Sequence, residues 1–151
     1  MSGIIGVVAP RLLGPALIVA AAIIVKGYAD VGDGFSAGVI VATALALRYV
    51  SLGWEVAERS LPILRRAPLM ATIGLLVALG TGFAGVLVGD PPFTHRPAPG
   101  EPVAHIGTLE LTTAVVFDLG VFLFVTAAFV VLVHHLARLA QGSSSSQVGR
   151  R

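Results

Sequence analysis

The sequence predicts an all-α integral membrane protein with four transmembrane helices. Hydrophobic residues make up 56% of the chain and charged residues 12%, which leaves too little polar surface to cover a soluble globule of this size. The apolar residues gather in four stretches, about 6–26, 34–54, 68–89 and 109–135. Each is near or above the ~20 residues that a helix needs to cross ~30 Å of hydrocarbon. Runs such as "VVFDLGVFLFVTAAFVVLV" lack the alternation, in segments of about ten residues, that a transmembrane barrel shows. Residues 1–140 therefore read as one four-helix membrane domain, and residues 141–151, rich in serine and glycine, as a flexible tail.

The first span opens with "RLLGPALIVAAAI". A cleaved signal peptide is the weaker reading of it, because the basic residue sits at Arg11 and the apolar stretch runs unbroken to Val25. After it, "KGYADVGDGFSAGV" spends four glycines and two aspartates on a break between apolar runs. The glycines allow a tight turn and a close approach of the next helix. Asp33 stands where the exposed N–H groups of that helix favour an anion, so it is expected to cap it, with cation gathering at an outer mouth as the alternative.

The second span has only Gly34 to Leu47 between Asp33 and Arg48, about 21 Å of helix. Arg48 is then expected to snorkel, and the span to extend to Trp54, with Tyr49 and Trp54 in the interfacial belt. Residues 51–66, "SLGWEVAERSLPILRR", mix charge and apolar residues at near-helical spacing and suit an interfacial segment interrupted by Pro62. Between the third and fourth spans, "DPPFTHRPAPGEPVAH" holds five prolines and reads as an extended external loop.

Four spans place the N-terminus, the 51–68 connection and the C-terminal tail on one side, with eight of the ten basic residues. Lys26 and Arg96 fall on the other side. The positive-inside rule then assigns both termini to the cytoplasm. The net charge of +2 is this topology signal, and no nucleic-acid partner is read from it.

Cysteine is absent, so thiolate metal sites and a cysteine nucleophile are excluded. No serine, histidine and carboxylate set suggests a hydrolase, so the chain is not expected to be an enzyme, and no catalytic residue, metal ligand or cofactor is assigned. His134 and His135 at a helix end suit interaction with the helix dipole.

Small residues recur every fourth position at Gly34, Gly38, Ala42 and Ala46, and again at Gly74, Ala78 and Gly82. Such stripes let helices approach closely in lipid. They predict contact without saying whether the neighbour lies in this chain or in another protein of a complex.

Asp118 stands nine residues into the fourth span. A carboxylate there costs at least ~2.5 kcal/mol on insertion scales and must be paired, hydrogen-bonded or protonated. Its helical-face neighbours Leu111, Ala114, Val115, Val121, Phe122 and Val125 offer no partner. Lys26 is the best internal candidate, with Arg96 as another. A structural ion pair, or a cap to a neighbouring glycine-broken loop, stands beside an ion-pathway role.

Two segments resemble the MnhB-type subunit of the multisubunit Mrp (Mnh) sodium/proton antiporters. In the first, Gly27, Gly32, Gly34, Phe35 and Gly38 match the glycine-rich turn, while Tyr28, Val31, Asp33, Ser36 and Ala37 depart from it. In the second, "GTLELTTAVVFDLGV", the matching residues include Gly107, Phe117, Asp118 and Gly120, while Glu110 stands where histidine is usual. The resemblance implies a small subunit of a sodium/proton antiporter in a bacterial or archaeal cell membrane, needed for assembly and lining part of the ion path. Sodium and protons would be its cargo, and other hydrophobic subunits, including large complex I-like ones, its partners. Asp118, Lys26, Asp33 and Glu110 are the polar candidates for that path. A scaffold subunit of this or a related hydrogenase-type complex, and a self-contained four-helix transporter, are the alternatives.

Overall fold

The computed structural model describes residues 3–26, 32–97, 102, 104–106 and 109–148, with side chains described at 6–26, 32–97, 102 and 112–139. Four helical segments are long and apolar enough to cross a membrane. In chain order the elements are α1 (Gly3–Lys26), α2 (Asp33–Leu52), α3 (Trp54–Ser60), a 3-10 turn (Pro62–Arg66), α4 (Ala67–Ala84), a second 3-10 turn (Gly85–Val88), strands β1 (Ala104–Ile106) and β2 (Leu109–Leu111), and α5 (Thr113–Val148). The spanning helices form a row in the order α1, α2, α5, α4, so the last helix in sequence stands between the second and third spans.

Both small-residue stripes are spent on α5. A Cβ built at Gly34 would collide with the Asp118 backbone, and one at Gly38 would lie 3.0 Å from Val125 Cβ. On the other flank, a Cβ at Gly74 would come within 2.8 Å of the Gly120 carbonyl, and one at Gly120 within 2.7 Å of the Ala78 nitrogen. Thr126 Oγ1 also donates to the Gly38 carbonyl at 3.3 Å. The choice the sequence leaves open is thus resolved within the chain: the glycines bring α2 and α4 against opposite sides of α5, where dispersion between close backbones replaces the missing hydrophobic drive. α1 lies against α2, burying Ala9 and Ala20, while large side chains such as Ile18 and Val25 stay exposed to the surroundings.

The second span is shorter than the sequence suggests. It ends at Leu52, and Gly53 at φ +78° turns the chain, a conformation glycine adopts without strain. Trp54 consequently opens α3 and is not the end of α2. Arg48 does not simply snorkel: it donates to the Pro10 carbonyl at 3.3 Å and to Ser60 Oγ at 2.8 Å. The interfacial segment appears as α3 and the 3-10 turn, with Pro62 at the start of that turn.

The fourth span starts at Thr113, later than the expected 109. Residues 109–111 read Leu-Glu-Leu, an alternation that suits a strand, and they pair antiparallel with 104–106. Thr112 then supplies the cap, because the Val115 N–H reaches both its carbonyl (3.2 Å) and its hydroxyl (3.4 Å). At the other end α5 continues as helix to Val148, through most of the expected tail. No proline interrupts residues 113–148.

The proline-rich loop is packed over 89–97 and is not extended there. Phe93, at φ +63°, donates its N–H to the Gly82 carbonyl at 2.6 Å and sets its ring against Phe83 and Phe117. Arg96 is held to Asp90 by contacts of 2.9 and 2.6 Å. Hydrogen bonds join Arg96 to Thr113: the Thr113 N–H donates to the Arg96 carbonyl at 2.9 Å, and the Arg96 backbone N–H to Thr113 Oγ1 at 2.8 Å. The loop therefore covers the C-terminal end of α4 and the N-terminal end of α5.

Candidate functional site

Asp118 is buried, with 4% of its surface exposed, on the second turn of α5. With the helix starting at Thr113 it lies about 8 Å below the first residue, nearer the membrane surface than a start at 109 would put it. Its carboxylate accepts the Gly32 N–H, at 3.1 Å to Oδ1 and 3.3 Å to Oδ2.

Gly32 caps the amino end of α2. Four N–H groups at the start of any helix lack intrahelical acceptors, and the helix dipole places partial positive charge there. Gly32 stands at the cap position with φ +127°, a region closed to most side chains, and makes no side-chain cap of its own. The absence of a Cβ at Gly34 lets α2 touch the α5 backbone at Asp118 itself. The two glycines and the aspartate thus form one joint: one glycine supplies the backbone turn, the other the close approach, and the aspartate the charge.

Other sequence candidates fall differently. Lys26 is exposed at the last turn of α1, which packs on α2 and only marginally on α5, so it is not brought to Asp118. Arg96 is engaged by Asp90. Asp33 occupies the first position of α2 and makes no capping hydrogen bond among the described residues, while the Asp118 carboxylate accepts the N–H of the cap residue Gly32. Asp33 and His95 act on Asp118 through space. Glu110 lies in β2, opposite His105, outside the fourth span. Phe35 is exposed on α2, Phe117 packs against Phe93 and His95, and Gly120 seats Ala78 and Gly74. Gly27, Tyr28, Val31, Gly107 and Thr108 lie outside the described residues.

A second buried carboxylate has no place among the sequence candidates. Glu58 on α3 is 7% exposed. Its Oε1 accepts the Tyr49 hydroxyl at 3.3 Å and lies 2.5 Å from His134 Nδ1, while Arg65 Nε stands 3.9 Å from Oε2. Trp54 meets the His134 ring edge-on at 5.8 Å, and the Arg138 guanidinium lies 5.5 Å from the Trp54 ring. His134 therefore does more than face a helix dipole: with Tyr49 it ties α3 to α2 and α5. Glu58 falls on the apolar side of α3, beside Ala57 and in line with Trp54 at four-residue spacing, which is the signal that could have marked it.

Among the described residues, no group of three or more histidine, cysteine or acidic side chains is arranged to hold a metal ion.

Comparison with known proteins bears on the same residues. A family model described as a domain related to the MnhB subunit of Na+/H+ antiporter matches residues 4–131, which include Gly32, Gly34 and Asp118 and stop short of His134. The B subunit of the Na(+)/H(+) antiporter of Alkalihalophilus pseudofirmus is 35% identical over 111 residues, covering 74% of this chain and 75% of that protein. The B subunit of the Na(+)/H(+) antiporter of Bacillus subtilis is 30% identical over 108 residues, 72% of this chain and 73% of that protein. A probable K(+)/H(+) antiporter A/B subunit of Rhizobium meliloti is 37% identical over 122 residues, 80% of this chain but only 12% of that longer protein.

Proposed function

Since this chain belongs to the MnhB-related family of antiporter subunits, we propose that it is a small multi-pass subunit of a sodium/proton antiporter complex and that its main task is assembly. The observation that carries the assembly reading is the hydrogen bond from the backbone N–H of Gly32, the cap residue of α2, to the Asp118 carboxylate. A carboxylate committed to a helix end holds two spans in register, and this accounts for its cost in the membrane without a transported ion. The outward faces of α1 and α4, with exposed residues such as Ile18, Leu76 and Leu87, would meet lipid and sister subunits, including large complex I-like ones. A part in the ion path is the second reading, favoured by Asp33 at the same helix end as Asp118. Catalysis is no part of either.

Isolation of tagged chain from its native membrane in mild detergent tests the proposal. Several hydrophobic partners should copurify, and deletion of the chain should abolish sodium/proton exchange in vesicles along with the complex. Recovery of the chain alone, with exchange intact after deletion, would leave it outside any antiporter.

The orientation proposed with this function has both termini in the cytoplasm, on the distribution of basic residues. In a chain without native cysteine, an impermeant thiol reagent applied to whole cells should label Ala98→Cys and spare Ser143→Cys. The reverse pattern would invert the topology.

A further inference from the structure

We propose that the cleft left open by the row of helices binds one anionic phospholipid, its phosphate at Arg65 and Arg66 and an acyl chain among α1, α2, α4 and α5. This does not rest on the antiporter reading. A row of four helices, with α1 at one end and α4 at the other, leaves a cleft where a closed bundle would have a core. Its volume is about 310 Å³, and Leu17 of α1, Val41 and Leu45 of α2, Met70 of α4 and Phe122 of α5 line it. Thr126 adds a hydroxyl to the lining, but that group already donates to the Gly38 carbonyl. A cleft so lined gives water too few polar partners and accepts hydrocarbon instead.

The cleft continues toward charge. A second, more open cavity of about 640 Å³ shares Ile63 and Met70 with the first and adds Arg65 and Arg66 to its wall. Both arginines lie on the 3-10 turn that leads into α4, at the membrane end that holds α3. The Arg65 side chain is 63% exposed and only 3.9 Å from Glu58 at its nearest approach. Arg66 is exposed and makes no hydrogen bond or ion pair among the described residues. Two accessible guanidinium groups above an apolar slot match a lipid phosphate above its acyl chain. A neutral lipid would leave that charge unused, and an apolar partner helix would have to bury it. Charge complementarity thus selects an anionic lipid.

The test uses the purified full chain in mild detergent, offered dioleoyl phosphatidylglycerol or dioleoyl phosphatidylcholine, with retained lipid counted by native mass spectrometry. Phosphatidylglycerol should be retained preferentially. Arg66→Gln, which breaks no described contact, should lower its retention roughly fivefold, the effect expected of one basic residue near a charged lipid. The double variant Arg65→Gln/Arg66→Gln should erase the preference. Leu17→Trp, at a side chain already 46% exposed, should fill the cleft and lower retention of both lipids. Equal retention of the two lipids by the unaltered chain would overturn the proposal, as would indifference to Arg66→Gln or Leu17→Trp. A photocrosslinker at position 17 in native membranes should attach to lipid, and attachment to another protein would give the cleft to a partner helix and overturn it as well.

Discussion

Gly74→Leu is expected to remove most of the chain from the membrane as folded protein, with the yield of monodisperse material in mild detergent falling tenfold or more. A Cβ at this position would stand 2.5 Å from the Phe124 nitrogen and 2.8 Å from the Gly120 carbonyl, and both are backbone atoms of α5. Overpacking against mobile side chains typically costs about 1–3 kcal/mol. Against backbone there is no rotamer to relax, so α4 must move away from α5 and give up the whole contact. Gly80→Leu is the matched control on the same helix, because a Cβ at Gly80 meets nothing within 4 Å. It should express as the parent does. Equal yields for the two variants would remove the close α4–α5 approach from the account.

Asp118→Ala should come next in severity, with Asp118→Asn distinctly milder. Alanine takes the acceptor from the Gly32 N–H, a part-buried bond at an otherwise exposed residue, and removes the charge from the amino end of α2. Together these cost roughly 1–2 kcal/mol. Asparagine keeps an oxygen for that N–H and forfeits mainly the charge, a loss of about 1 kcal/mol. Heating in detergent followed by gel filtration should order the variants parent, Asn, Ala, and hydrogen exchange at the Gly32 amide should speed up most in the Ala variant. An Ala variant as stable as the parent would mean that the joint does not hold α2.

The four spans were legible because crossing length and apolarity are local properties of the sequence. The stripes at Gly34–Ala42 and Gly74–Gly82 were legible for a similar reason, since small residues at helical spacing mark a close-packed face whatever lies opposite. Their common partner was not legible, because α5 is placed between α2 and α4 by contacts that no single segment encodes. Asp118 could be recognised as an acid needing a partner, and a cap to a neighbouring glycine-broken loop stood among its expected roles, while charge alone pointed to Lys26 or Arg96. The actual donor is a backbone N–H 86 residues away in sequence, and a backbone donor carries no side-chain signature. The glycines around Asp33 were the clue, since they mark a helix start whose amides a carboxylate from elsewhere can reach. Asp33 suits the cap by its position, but the carboxylate that accepts the Gly32 N–H is that of Asp118. The start of α5 at Thr113 depended on a strand pairing, and the packing of the 89–97 loop on a Phe93 conformation that the prolines do not announce. Glu58 was hidden because a carboxylate in a charged interfacial segment reads as solvated until its neighbours are known.

The measurement that bears most directly on Asp118 as a structural joint is sodium/proton exchange by the Asp118→Asn variant in vesicles, normalised to the amount of intact complex and followed across pH and sodium concentration. Asparagine preserves the shape of the joint and an acceptor for Gly32 while removing the charge. If the aspartate serves to seat α2 on α5, exchange per intact complex should match the parent at every pH and sodium level, with any deficit confined to the amount of complex recovered. A fall in exchange per complex, or a shift in its pH dependence with assembly unchanged, would contradict that account and place Asp118 on the ion path.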